Sequence, residues 1–140
     1  MVSLSAGIAI ADECIQEFTA LRMKRAHRYL ILKVNDDKTA ISIEHIGARD
    51  ATFAEFKEKM PKDQCRYGIF ELEYPTNDGR IEAKILFIMY APDVCSPKDK
   101  FVIATTKDEV KKKLQPFNKE IQVNDWADLD DESFIKYFKH

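Results

Sequence analysis

Apolar residues recur at helical spacing near the start of the chain. Ala11, Ile15, Phe18 and Leu21 line one face and predict a helix over 11–23. Residues 29–34 (Tyr-Leu-Ile-Leu-Lys-Val) read as a strand, Asn35-Asp36-Asp37-Lys38 as a turn, and 40–46 as the hairpin partner. Thr52 and Glu55, three apart, form a capping-box pattern ahead of the apolar stripe Phe53, Phe56 and Met60, and Pro61 helps to stop this short helix. Residues 66–74 alternate over much of their length, whereas 83–90 are nearly all apolar, as expected of a central strand covered on both faces. Asn77-Asp78-Gly79 between them is a hairpin turn signal. After Pro92 and Pro97, residues 100–104 predict a further short strand, and Thr106 with Glu109 a second capping box opening a helix over 107–114. An extended piece over 121–123 precedes a last helix over 130–138 that turns Phe134, Ile135 and Phe138 inward. The order α-β-β-α-β-β-β-α-β-α predicts an α/β chain (an α+β mixed sheet) with helices on both faces of one central sheet.

A length of 140 residues suits one domain spanning 1–140, since two cores would starve each other. A hydrophobic fraction of 45% with only four Gly and five Pro excludes disordered, collagenous and low-complexity classes. Lys and Arg (22) nearly balance Asp and Glu (24), which argues against a generic nucleic-acid binder. The balance is uneven along the chain, however. Residues 98–113 carry six Lys against Asp99, Asp108 and Glu109, or +3, whereas 120–140 carry −4. Such polarity can steer a charged partner. Lysines at the end of a helix equally serve its dipole and solubility, and the residues alone leave both readings open.

Catalytic and metal-binding patterns are not apparent. Cys14, Cys65 and Cys95 are odd in number and form no Cys-x-x-Cys pair, and His27, His45 and His140 are scattered, so neither a disulfide framework, a metal site nor any cofactor is expected. Cys65 heads a core strand, where a buried inert thiol is expected rather than a thiol–imidazole pair with His45. Glu71 and Glu73 share a strand face expected to be solvated, and Trp126 is expected to anchor the approach to the last helix. The N-terminus lacks a basic segment, and Asp12 and Glu13 interrupt its apolar run, so a signal peptide is not expected and the protein is expected to be cytoplasmic.

Six stretches in register resemble the actin-depolymerising factor/cofilin family. Gly7-Ile8-Ala9-Ile10-Ala11-Asp12 is similar to its N-terminal signature, and Lys24-Arg25-Ala26-His27-Arg28-Tyr29 to the basic approach to its first strand. Cys65-Arg66-Tyr67 with Phe70-Glu71-Leu72-Glu73-Tyr74 resembles its Cys-x-Tyr strand, and Ala91-Pro92-Asp93 the element after its central strand. The run from Lys98 through Lys100, Phe101, Thr105, Thr106 and Lys107 to Asp108 resembles its Arg/Lys-x-Lys-Met-x-Tyr-x-Ser-Ser-Lys-Asp motif. Ile121-Gln122-Val123-Asn124-Asp125 is similar to the segment before its last helix. The resemblance implies a non-enzymatic actin regulator, associated with the cytoskeleton and also admissible in the nucleus. It implies a long helix inserted between two subdomains of an actin monomer, preference for ADP-actin, slowed nucleotide exchange, and twisting and severing of filaments. By position, the monomer-binding surface would comprise Ser5, Ala6, Gly7, Ile8, Lys98, Lys100, Phe101, Lys107, Lys111 and Lys112. Phosphoinositide headgroups would compete for the same cations.

Departures from the family pattern qualify this expectation. Phe101 stands where Met is usual, and Ala6 where a Ser is usual, with Ser3 and Ser5 nearby as candidate phosphorylation sites. On the filament side, Arg80 and Lys84 flank an intrusive Glu82. Lys136, Lys139 and His140 end the chain, with Tyr137 where a basic residue is common. A monomer of the protein that binds actin monomers more strongly than filaments is expected. A filament-side or phosphoinositide-binding adaptor of the same fold, without severing, is the alternative, and a thiol-dependent enzyme on Cys65 a more distant one.

Overall fold

A computed structural model describes residues 8–139. A six-stranded mixed sheet in the order β1-β3-β2-β4-β5-β6 carries helices on both faces, as expected. The strands are β1 (Ala9–Ile10), β2 (His27–Val34), β3 (Ala40–Ala48), β4 (Arg66–Pro75), β5 (Ile81–Tyr90) and β6 (Lys119–Val123). The helices are α1 (Asp12–Lys24), α2 (Phe53–Lys59), α3 (Pro97–Lys113) and α4 (Asp131–Ile135), with one 3-10 turn at Trp126–Asp128. The four middle strands pair antiparallel, whereas β1 runs parallel to β3 and β6 parallel to β5.

The apolar run of β5 serves two cores. Ile85, Phe87 and Met89 face α1 and α3, joining Cys14, Phe18, Leu21, Ile103, Val110 and Leu114. Leu86, Ile88 and Tyr90 face the other side, joining Phe53, Phe56, Met60, Leu129 and Phe134. Because side chains alternate along a strand, only an apolar residue at every position fills both layers. Each fully buried large side chain contributes roughly 1.5–3 kcal/mol.

One expected strand is not formed. Residues 100–104 lie inside α3, which begins ten residues before the predicted helix. Ser96 caps it by accepting from the Asp99 N–H at 3.1 Å, and Pro97 fits the first turn, where no intrahelical N–H is needed. Thr106 is therefore mid-helix and not a cap, and its hydroxyl donates to the Val102 carbonyl at 2.5 Å. The β-branched run suggested a strand, but parallel β5 and β6 require a crossover, and a helix of 17 residues spanning about 25 Å supplies it. The last helix is likewise shorter than predicted, ending at Ile135 before turns to Phe138. The capping box at Thr52 forms its first half: Thr52 Oγ1 accepts from Glu55 N–H at 3.1 Å, while the Glu55 carboxylate instead accepts from the Tyr29 hydroxyl at 2.5 Å.

The face of Glu71 and Glu73 is not a solvated one. Arg25, Arg28 and Arg49 gather around the two carboxylates, and Glu71 is buried. Trp126 does anchor the approach to α4, donating its indole N–H to the carbonyls of Lys57 and Met60 at 3.0 and 3.1 Å. No helix among the described residues is long and apolar enough to cross a membrane.

Tyr29 lies over Gly47, its cross-strand partner, and a Cβ at Gly47 would collide with the aromatic ring. Gly47→Ala should therefore destabilise the protein by about 1–3 kcal/mol, read as a lower urea midpoint; an unchanged midpoint would mean that the Tyr29 ring moves aside freely.

Candidate actin-binding surface

Helix α3 has three faces, fixed by its 3.6-residue period. Ile103, Thr106 and Val110 point into the core. Lys98, Phe101, Thr105, Asp108 and Lys112 fall at alternating steps of three and four, and all five are exposed. Phe101 is 68% exposed, a large aromatic ring on the outward side of a long helix with no intramolecular core to fill. Lys107 and Lys111 belong to a third, flanking face that leans over β6.

The placement of these lysines separates what the sequence grouped together. Lys107 Nζ lies 2.8 Å from Glu120 Oε2, and Lys111 Nζ 2.6 Å from Glu120 Oε1. Lys112 makes only a long contact of 3.4 Å with Glu109. Lys98, Lys100 and Lys113 have no carboxylate partner among the described residues. Asp99 is occupied by Lys38 at 3.2 Å, which ties the β2–β3 turn to the first turn of α3. Ile8 is buried against the α1/α3 core, so it supports this surface from beneath and is not an exposed contact. Ser3, Ser5, Ala6, Gly7 and His140 lie outside the described residues.

Glu120 was not among the residues singled out from the sequence, although a signal was present. Ile121 and Val123 point into the α2/α4 core, so alternation turns Glu120 towards α3. Hydrogen bonds from Lys107 and Lys111 hold its carboxyl below the usual carboxylate range, and Glu120 in turn raises the Lys111 ammonium.

The filament-side candidates collect at the opposite end of β5. Arg80 is bound to Asp78 and Glu82, each at 2.9 Å, so Glu82 does neutralise the cation beside it. Lys84 Nζ sits 5.9 Å from the centre of the Phe138 ring. With Tyr74, Tyr137 and Lys139 they line an open depression of about 510 Å³. Lys136 and Tyr137 are exposed beside it. Cys65 is half-buried, and burial together with a hydrogen bond to Cys95 pushes its thiol up to about 12, a poor setting for a nucleophile. His45 pairs with Glu44 at 3.8 Å.

Comparison with known proteins decides the family. Residues 7–139 match the model of the cofilin/tropomyosin-type actin-binding proteins. The chain belongs to the cofilin/ADF family. Membership makes it an actin-binding protein concerned with actin dynamics. It is 39% identical to actophorin of Acanthamoeba castellanii over 127 residues, covering 91% of each chain. Its fold superimposes on the crystal structure of Streptomyces griseoflavus cofilin with a TM-score of 0.86 at 26% identity, covering 96% of this chain and 100% of the other. The solution structure of ADF/cofilin from Trypanosoma brucei is 34% identical, with a TM-score of 0.76 and 96% of both chains covered.

A carboxyl depressed in the folded state adds stability above its unfolded pKa of about 4.3, and that stability is lost as pH falls through the folded value. The Glu120 side-chain carboxyl should accordingly titrate below about 4.3 when followed by carbon NMR; a midpoint at or above that value would remove the lysine bridge.

Proposed function

We propose that this member of the family binds actin monomers, favouring the ADP form, and promotes disassembly and severing of filaments in the cytoplasm. The outward stripe of α3 is the contact, with Phe101 the apolar anchor and Lys98 and Lys112 the cations that meet acidic partner groups, and with the half-buried Lys100 at its margin on the flank of Lys107 and Lys111. The observation that carries this reading is the exposed Phe101 ring flanked by exposed lysines on a helix whose opposite side is fixed in the core. An aromatic centre with charged margins is the composition expected of a protein interface, in which a few anchors dominate the energy. Relative to Met, Phe is stiffer, so it gains area with less adaptability. The N-terminal arm at Ser5, Ala6 and Gly7 belongs to the same proposal, and a phosphate on Ser3 or Ser5 would add negative charge there and oppose binding.

Phe101→Ala should weaken binding to ADP-actin monomers by about 2 kcal/mol, roughly thirtyfold, in a fluorescence titration with labelled actin. Unchanged affinity would move the contact away from α3.

Filament binding is proposed to be the weaker activity, because Arg80 is occupied by Asp78 and Glu82. In high-speed co-sedimentation the protein should shift actin to the supernatant and pellet only weakly. Glu82→Gln should increase the fraction that pellets with filaments; equal pelleting would separate this depression from filament contact. The lysines without carboxylate partners also favour a second reading, capture of phosphoinositide headgroups. Co-flotation with vesicles, with and without actin, tests whether the two ligands compete.

A further inference from the structure

Glu120 spends both carboxylate oxygens on two lysines one turn apart on α3. All three side chains are partly exposed, between 26% and 30%, so the fork lies at the surface, beside the outward stripe and not within it. Ion pairs of this exposure contribute little to stability, and exchanging one carboxylate partner for another costs correspondingly little. They do alter the field that an approaching partner meets. The segment 98–113 carries +3, and Glu120 held against it reduces the local charge to +2. Exposed charges act over about 8 Å at physiological salt, a distance on which one unit of charge matters.

We propose that Glu120 is an internal competitor for the basic helix. It withholds Lys107 and Lys111 from the first encounter, and a partner gains them only by supplying carboxylates that displace it. This inference rests on reading α3 as the actin-contacting face, and divides that face into two classes of cation. Lys98 and Lys112, on the exposed stripe, are open to the encounter; Lys107 and Lys111 are released on docking. Glu120 thereby limits how fast, and how indiscriminately, acidic surfaces are attracted.

The test is Glu120→Gln, which keeps the side-chain shape and removes the charge, with folding checked by thermal melting. Association of the full chain with labelled ADP-actin monomers is followed by stopped-flow at 50 and 200 mM KCl, beside wild type and Phe101→Ala. Removing a competing charge at an interface margin acts chiefly on association and is screened by salt. Glu120→Gln should associate about two- to fivefold faster at 50 mM, with the gap closing at 200 mM. Phe101→Ala should instead accelerate dissociation. If Glu120→Gln associates no faster while Phe101→Ala weakens binding, the competitor is overturned and the contact face stands. If neither variant differs from wild type, the contact face is wrong and the inference falls with it.

Discussion

The parallel pairing of β5 with β6 obliges the chain to cross one face of the sheet, and α3 makes that crossing. A parallel neighbour cannot be reached by a tight turn, so a long covering segment is required. Ile103, Thr106 and Val110 seat that segment on a sheet already made rigid by the ten-residue pairing of β4 with β5. Once those positions are fixed inward, helical geometry leaves no choice about Phe101 and Lys112, which must face solvent. The exposed face of α3, the contact surface proposed above, is thus a consequence of how the crossover is anchored.

The same anchoring explains the distribution of charge. Lys107 and Lys111 share one α3 flank, and β6 delivers Glu120 to them because its alternate residues Ile121 and Val123 are needed in the opposite core. On the far side of the sheet's centre, Glu71 and Glu73 are gathered by three arginines, one of them, Arg25, held in the left-handed region at the end of α1. The arginines around Glu71 and Glu73 and the two lysines on Glu120 are thus committed within the fold, whereas Lys98 on α3 has no carboxylate partner among the described residues and shares the outward stripe with the exposed Phe101.

Two departures from the family pattern have physical counterparts. Phe101 presents a stiffer exposed side chain than Met, without disturbing the helix that carries it. Glu82 closes on Arg80 and neutralises one cation at the hairpin end of the molecule. The two proposed surfaces are built on different elements, α3 and the β4–β5 hairpin, so a change at one leaves the other in place.

The mixed sheet with helices on both faces is legible along the chain, because apolar periodicity is a local property: the continuous run of β5, the alternation of β4 and the stripes of α1 and α2 each mark how many sides are covered. The sequence also carried the family, through six short stretches in register. Tertiary structure alone decided that residues 97–106 are helical. Val102 and Ile103 favour a strand locally, but the crossover and the cap at Ser96 outweigh that preference. It alone separated the lysines of α3 into open and occupied sets, because Glu120 reaches them from another strand, and a pairing between elements is set by packing and not by spacing along the chain.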